Sequence, residues 1–128
     1  MWSKIILVFL GGGMGAVVRE FIILLIPQAR GDFPTDIFVA NVGASFILGL
    51  TFGNRRLNQV SDEFVLLVGT GVMGGMSTFS TYVYGAYSEM MMPGHLLVAS
   101  LYVVASAVVG YLATWLGLAA AKTRRRAA

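Results

Sequence analysis

The sequence contains no cysteine and few charged residues. The absence of cysteine among 128 residues excludes disulfides and thiolate metal sites, and it leaves the redox compartment unreadable. Charged residues make up 12% of the chain, whereas soluble domains typically have about 25%. The single histidine, His95, falls in a predicted loop. This composition therefore indicates that most of the chain lies in a membrane and not in water.

The few acidic residues are not arranged for catalysis. Enzymes need a nucleophile with a base, a metal cluster or paired acids. Five of the six acids lie near predicted span ends or in loops, and one lies inside a span. The six are Glu20, which is the one inside a span, Asp32, Asp36, Asp62, Glu63 and Glu89. We therefore expect no enzymatic activity.

Apolar residues dominate the chain and fall into four long runs. Hydrophobic residues make up 57% of the sequence, with a mean hydropathy of +0.79. A bilayer core about 30 Å thick needs roughly 20 apolar residues per helix, and runs at about 4–26, 34–52, 64–91 and 96–121 supply them. The sequence predicts an all-α membrane protein, with one four-helix transmembrane domain over residues 1–128. The apolar pattern continues beyond Leu10, so we assign the first run to a span and not to a signal peptide.

The basic residues indicate how the chain lies in the membrane. The net charge of +3 comes mainly from a cluster that follows the last hydrophobic run. A membrane-surface anchor is a better interpretation of this cluster than nucleic-acid binding. With four spans, seven basic residues share one side of the membrane, namely Lys4, Arg55, Arg56, Lys122, Arg124, Arg125 and Arg126, while Arg19 and Arg30 lie toward the other. This bias predicts that both termini are cytoplasmic.

The third run has an unusual centre. Gly69, Gly71, Gly74 and Gly75 fall within seven residues, and the segment MSTFST follows at 76–81. Close helix packing is an adequate explanation for Gly69 and Gly71. At Gly74 and Gly75 we expect the helix to unwind, because the hydroxyl side chains that follow can satisfy freed backbone groups. A helix that is broken at mid-membrane usually marks an ion or substrate site.

Five further residues are costly or informative inside a membrane. Arg19 and Glu20 are adjacent, so they do not face each other on a helix. Both imply a pore, a vestibule or a partner, with snorkelling to the interface as the alternative. Asn41 fits either a helix-to-helix hydrogen bond or a donor to a small anion. Phe79 and Tyr82 share a helical face, which fits either packing or ring edges turned toward an anion.

Three segments resemble the Fluc/CrcB family of fluoride channels. Residues 12–19, GGMGAVVR, are similar to the family's GGxxGAxxR. Residues 41–46, NVGASF, are similar to NxxGSF with one residue inserted or shifted. Residues 71–82, GVMGGMSTFSTY, resemble GFxGGxTTFSTF, and this match is highly specific. The resemblance covers the full length in span order, with a looser match in the fourth span.

The resemblance implies an antiparallel homodimer that exports fluoride passively from the cytoplasm through two pores, in the inner (plasma) membrane. It implies a central structural sodium ion, Na+, held by the backbone carbonyls of Gly74 and Ser77 from both subunits. It implies that Arg19 lies near an aqueous vestibule. It also implies that the fluoride pore is lined by Asn41, Phe79, Ser80, Thr81, Tyr82, Tyr102 and Ser106. Such donors and ring edges would replace the water of fluoride without a buried charge, while a narrow path excludes larger halides.

The chain departs from the family pattern at two positions in the third span. Tyr82 stands where the family has a second phenylalanine, so its hydroxyl either donates to fluoride or obstructs the ring edge. Gly85 stands where a glutamate is expected, and Glu89 is one turn further on. The bias of basic residues is a third departure, because a fixed orientation raises the hypothesis that the chain pairs with an oppositely inserted homologue, as the alternative to the homodimer.

Two other functions stay open at the level of sequence. A small multidrug-resistance-type, proton-coupled exporter also has four short spans, but it needs a carboxylate deep in the first span, and Glu20 is near that span's end. The second alternative is a non-conducting partner subunit of a heterodimeric channel, which the missing glutamate at Gly85 suggests.

Overall fold

Within the described residues, four helices are long and apolar enough to cross a membrane, and their mean hydropathies lie between 1.4 and 2.2. The computed structural model describes residues 2–27 and 33–127, with side chains described up to residue 123. The candidate spans are Trp2–Leu25, Thr35–Arg56, Asp62–Met90 and Leu96–Thr123. The predicted loop at 28–32, with Arg30 and Asp32, and the side chains of Arg124, Arg125 and Arg126 lie outside the described part. The prediction of an all-α membrane protein with four spans is confirmed.

The third span is composed of several helical pieces. In chain order the elements are α1 (Trp2–Leu25), α2 (Thr35–Arg56), α3 (Asp62–Phe64), a π-helical segment (Val65–Val72), α4 (Met73–Met76), α5 (Phe79–Met90) and α6 (Leu96–Ala127). Ser61 begins the third span by accepting a hydrogen bond from the Phe64 N–H, as helix N-caps do. At the end of the π-helical segment, the Met73 N–H donates to the Val68 carbonyl, five residues back. The wider turn is unusual over this length, since π-helices are mostly single turns.

Two pairs of helices approach so closely that only glycine fits between them. A Cβ on Gly15 would overlap the Val72 carbonyl, and one on Gly75 would overlap the Gly12 carbonyl, so α1 lies directly against the first half of the third span. Helices α2 and α6 approach as closely at Gly49. Helix α5 packs against α6. The two halves of the third span therefore pack against different helices.

The glycine pair does not unwind, which corrects the sequence-based expectation. Gly74 and Gly75 lie within α4, and the backbone leaves the helical conformation at Ser77 (ψ 148°) and Thr78 (ψ 118°). Gly75 is needed for the close approach to α1, and that approach requires no special backbone conformation. The non-helical residues lie at 77–78 because side chains from other helices bond the backbone there.

Most large apolar side chains remain on the outside of this single chain. The buried cluster is small and consists of Ala44, Met73 and Met76. By contrast, Phe9 is 78% exposed and Tyr111 is 71% exposed. Apolar residues on the outside suit a hydrocarbon solvent or a partner subunit.

Candidate functional site

The non-helical turn in the third span is held by the amide of Asn41 on α2. The Thr78 N–H donates to Asn41 Oδ1 at 2.9 Å, and Asn41 Nδ2 lies 3.5 Å from the Thr78 carbonyl. The first contact is a well-formed hydrogen bond and the second is at the limit of one. Asn41 therefore satisfies the backbone of one residue from both sides. The short bond to Oδ1 fixes which way the amide points, and the NH2 group keeps a proton to donate.

Thr78 also begins the second half of the span. Its side-chain oxygen accepts from the Thr81 N–H at 3.3 Å, which caps α5. The same oxygen lies 3.2 Å from Ser80 Oγ and 3.1 Å from Thr81 Oγ1. These contacts gather three hydroxyl groups at the start of α5. The predicted pore residues Ser80 and Thr81 thus meet at Thr78.

Arg19 reaches the other side of the same turn. Its Nη1 donates to the Gly75 carbonyl at 2.9 Å, a contact between residues 56 positions apart in sequence. In a continuous helix the Phe79 N–H would be the donor to this carbonyl. A cation at the carboxyl end of a helical segment is also favoured by the helix dipole. The guanidinium therefore stabilises the interrupted end, in addition to any effect on the local anion concentration.

A cavity of about 380 Å³ opens beside the turn and collects most of the predicted pore residues. Its lining includes Asn41, Ser77, Phe79, Tyr82 and Ser106, together with Ser45, Thr78 and Ala107. The lining carries amide, hydroxyl and ring groups but no ionisable acid or base other than the phenol. It can therefore solvate an ion through dipoles and ring edges, without a fixed charge to trap it.

A chain of aromatic contacts leads from the cavity lining to Tyr102 and Phe33. The ring centroids of Phe79 and Tyr82 lie 5.9 Å apart, and those of Tyr82 and Tyr102 lie 5.3 Å apart. Phe33 meets the Tyr102 ring edge to face, with centroids 5.3 Å apart. The Tyr82 hydroxyl donates to the Val103 carbonyl at 3.4 Å, so it is directed at the backbone of α6. This geometry leaves the edge of the Tyr82 ring unobstructed by its own hydroxyl.

Two buried hydroxyl groups of α6 lack a hydrogen-bond partner among the described residues, namely those of Tyr102 and Ser106. Tyr102 is fully buried, and the backbone of Gly85 lies beside its hydroxyl. A Cβ at Gly85 would lie 3.6 Å from that hydroxyl, which is an ordinary contact distance, so the Gly85 backbone packs beside the buried polar group without bonding it. Buried unpaired hydroxyls are uncommon, and here both lie on one face of α6, where Ser106 lines the cavity and the Tyr102 ring contacts Tyr82.

Glu20 and Glu89 stand apart from the cavity. Glu20 is exposed on α1, next to Arg19 in sequence. Glu89 is 5% exposed, and its Oε2 lies 3.1 Å from His95 Nδ1, so it is engaged at the turn between α5 and α6. Glu89 therefore does not take the place of a glutamate at Gly85 in the cavity lining.

The structure brings together most, but not all, of the residues singled out from the sequence. One cavity is lined by Asn41, Phe79, Tyr82 and Ser106. Its lining residues are contacted by Ser80, Thr81 and Tyr102. A neighbouring cavity that shares Ser77 is lined by Gly74. Sequence reasoning missed Thr78 as the centre of the turn. Its position three residues before Thr81, at the start of a helical run, is an N-cap pattern that points to it.

Known proteins resemble the chain along most of its length. Residues 6–118 match the family described as CrcB-like protein, Camphor Resistance (CrcB). Fluoride-specific ion channel FluC 3 of Yersinia pseudotuberculosis is 51% identical over 118 residues, which cover 92% of this chain and 88% of that protein. Fluoride-specific ion channel FluC of Pyrococcus abyssi is 38% identical over 91% of this chain and 94% of its own. Fluoride-specific ion channel FluC 1 of Brucella abortus is 43% identical, and the match covers 44% of its length. The chain belongs to the CrcB family.

Proposed function

We propose that the chain is a subunit of a passive, fluoride-selective ion channel that exports fluoride from the cytoplasm. The relatives named as fluoride-specific ion channels support this function. The observation that carries it is the cavity lined by Asn41, Phe79, Tyr82 and Ser106, which offers donors and ring edges and no acid or base except the phenol. Fluoride is small and strongly hydrated, and a path of this kind replaces its water without binding it too tightly to leave.

The fluoride path in this proposal runs from the Asn41 amide along the aromatic rings to the α6 hydroxyls. Asn41 donates through its NH2 group, because Oδ1 is occupied by the Thr78 N–H. The positive edges of Phe79 and Tyr82 face the anion next, and the unpaired hydroxyls of Tyr102 and Ser106 supply further donors. Phe79 is 78% exposed on the single chain, so a second subunit is needed to enclose the path at this point.

A sodium ion at the dimer centre fits the backbone of the interrupted span. In a helix the Gly74 carbonyl accepts from the Thr78 N–H, which here donates to Asn41. The Ser77 carbonyl likewise loses the Thr81 N–H, which donates to the Thr78 hydroxyl. Both carbonyls are thus without their usual donors, and oxygen atoms of this kind suit a hard cation. We propose that Gly74 and Ser77 hold the sodium, which would neutralise carbonyl dipoles at the turn.

The assembly in this proposal is an antiparallel dimer in the inner membrane. A homodimer is the simplest form, and the bias of basic residues to one side supports pairing with an oppositely inserted homologue as the alternative. A tag-accessibility assay on cells that express only this chain separates the two. Equal populations of both orientations would support the homodimer, and a single orientation would support the heterodimer.

Fluoride efflux from liposomes that contain only this chain is the decisive test. We expect electrogenic fluoride efflux without a proton gradient, and no efflux of chloride at the same driving force. A proton-coupled exporter would instead require the gradient and an acid in its path, whereas Glu20 is exposed away from the cavity. No flux under any condition would identify a non-conducting subunit and overturn the proposal for this chain alone.

A further inference from the structure

A second polar cavity lies at the opposite end of the chain from the Glu89–His95 turn. Its volume is about 240 Å³, and it lies where α2 and α6 both end. We call it the basic groove, after Arg56 on α2 and Lys122 on α6, which line it with Trp115 and Leu118. None of these residues contributes to the proposed fluoride path. The groove is therefore a separate feature that the channel function does not explain.

The two cations of the basic groove are not engaged by acids. Arg55, the neighbour of Arg56, lies 2.7 Å from Asp62 in an ion pair. Within the described part of the chain, neither Arg56 nor Lys122 has a carboxylate within 4.0 Å. A general preference for positive charge on the cytoplasmic side would require only that basic residues lie at this end. Two different helices instead bring unpaired cations to one concave site.

The groove changes from charged to apolar along α6. Trp115 precedes Lys122 by two helical turns, which places it about 10 Å further into the membrane at 1.5 Å per residue. The Trp115 side chain is 56% exposed, as expected for an indole at the membrane interface. Beneath the groove, a Cβ on Gly53 would lie 2.6 Å from the Ala121 Cβ, so α2 and α6 meet there without space for a filling side chain. The groove therefore has a tightly packed base, with its two cations toward the helix ends and the indole deeper in the membrane.

We propose that the basic groove binds the headgroup of an anionic phospholipid from the leaflet on the side where α2 and α6 end. The lipid phosphate would lie between the Arg56 guanidinium and the Lys122 ammonium, and its acyl chains would run past Trp115 and Leu118. Basic pockets between transmembrane helices commonly take acidic headgroups. Free phosphate offers the same charge but nothing to contact the indole. A zwitterionic lipid carries its own cation, which competes with the two side chains.

Quenching of Trp115 fluorescence by brominated lipids tests the proposal. The full-length Trp2→Phe variant leaves Trp115 as the single tryptophan, since the sequence has two. It is reconstituted with brominated phosphatidylglycerol or with brominated phosphatidylcholine at matched mole fractions. We expect phosphatidylglycerol to bind roughly 25-fold more tightly, since each basic residue near an anionic headgroup contributes about fivefold. Inorganic phosphate at millimolar concentration should not displace it.

Charge-matched variants separate a site from a general charge effect. Arg56→Gln with Lys122→Gln should abolish the preference for phosphatidylglycerol, while Lys4→Gln with Arg55→Gln, which removes two charges from the same end, should retain it. Lys122→Gln alone, with an intermediate loss, serves if the double variant does not fold. Equal quenching by both lipids in the parent protein would overturn the proposal. So would an equal loss in the matched control, or displacement by free phosphate.

Discussion

Asn41 has two roles in this structure, and two substitutions at the same position separate them. The Asn41→Ala variant removes the acceptor of the Thr78 N–H, which lies 2.9 Å away. A part-buried donor left without a partner costs about 1–3 kcal/mol. The Asn41→Asp variant keeps an oxygen for that N–H but replaces the NH2 group by a second, negatively charged oxygen. A fluoride ion about 4 Å from that charge would be repelled by roughly 4 kcal/mol at an effective dielectric constant of about 20.

The two variants should therefore rank differently in two assays. In thermal unfolding in detergent, followed by tryptophan fluorescence, Asn41→Ala should have a Tm several degrees below the parent, and Asn41→Asp should fall less. In fluoride efflux from liposomes, Asn41→Asp should be the slower of the two, by about three orders of magnitude relative to the parent. Efflux from Asn41→Ala should be reduced as well, because it lacks the donor.

Asn54 provides the control for the same helix. It lies on α2, its buried Oδ1 has no hydrogen-bond partner among the described residues, and it is not part of the cavity lining. Asn54→Ala removes an oxygen that has no partner, so it should not lower the Tm, and it should leave the efflux rate unchanged. A parent-like Tm for Asn41→Ala, or fluoride efflux at the parent rate from Asn41→Asp, would contradict these two roles of Asn41.

Three further substitutions test the surroundings of the turn. Phe79→Ile should abolish efflux because it removes the ring edge, and the protein should still elute as a dimer because isoleucine keeps an apolar side chain at this exposed position. Normal efflux would count against the ring-edge role. Arg19→Gln loses a charge-assisted hydrogen bond to the Gly75 carbonyl and should lower the Tm more than Arg55→Gln does. The Arg55 ion pair is solvent-exposed and contributes at most about 1 kcal/mol. An equal fall in Tm for the two variants would contradict the role of Arg19. Gly75→Ala should prevent folding because its Cβ would overlap the α1 backbone. The Cβ of Gly74→Ala meets nothing within 4 Å, so this variant should elute as a folded protein in gel filtration. The opposite ranking would show that Gly75 is not needed for the close approach of α1.

The spans could be predicted from sequence because composition alone decides what a bilayer accepts. The predicted first run at about 4–26 corresponds to Trp2–Leu25, and the predicted last run at about 96–121 begins at the same residue as α6. The site was harder to predict, since its residues come from separate helices. Arg19 and Gly75 are 56 positions apart, and no pattern within either segment indicates that a guanidinium meets that carbonyl.

The position of the turn was predicted wrongly for an instructive reason. Glycine was expected to mark the unwound residues, because glycine is costly in a helix. At Gly75 the tertiary requirement for a close approach to Gly12 outweighs that propensity, and the residue stays helical. The non-helical conformation instead falls on Ser77 and Thr78, where Asn41 can reach the backbone. Only the three-dimensional arrangement distinguishes a glycine used for packing from one used for unwinding.

The order of residues along the chain bears on how the third span enters the membrane during synthesis. An interrupted segment cannot satisfy all of its own backbone groups in lipid, and α5, with 12 residues, is too short to cross alone. The two side chains that bond the turn from other helices, Arg19 and Asn41, belong to spans that are synthesised earlier. Both are therefore available when the turn leaves the ribosome. The partner of α5, by contrast, is α6, which is made last. The amino-terminal half of the third span can therefore pack against α1 as soon as it is synthesised. The other half can pack against α6 only after translation is complete.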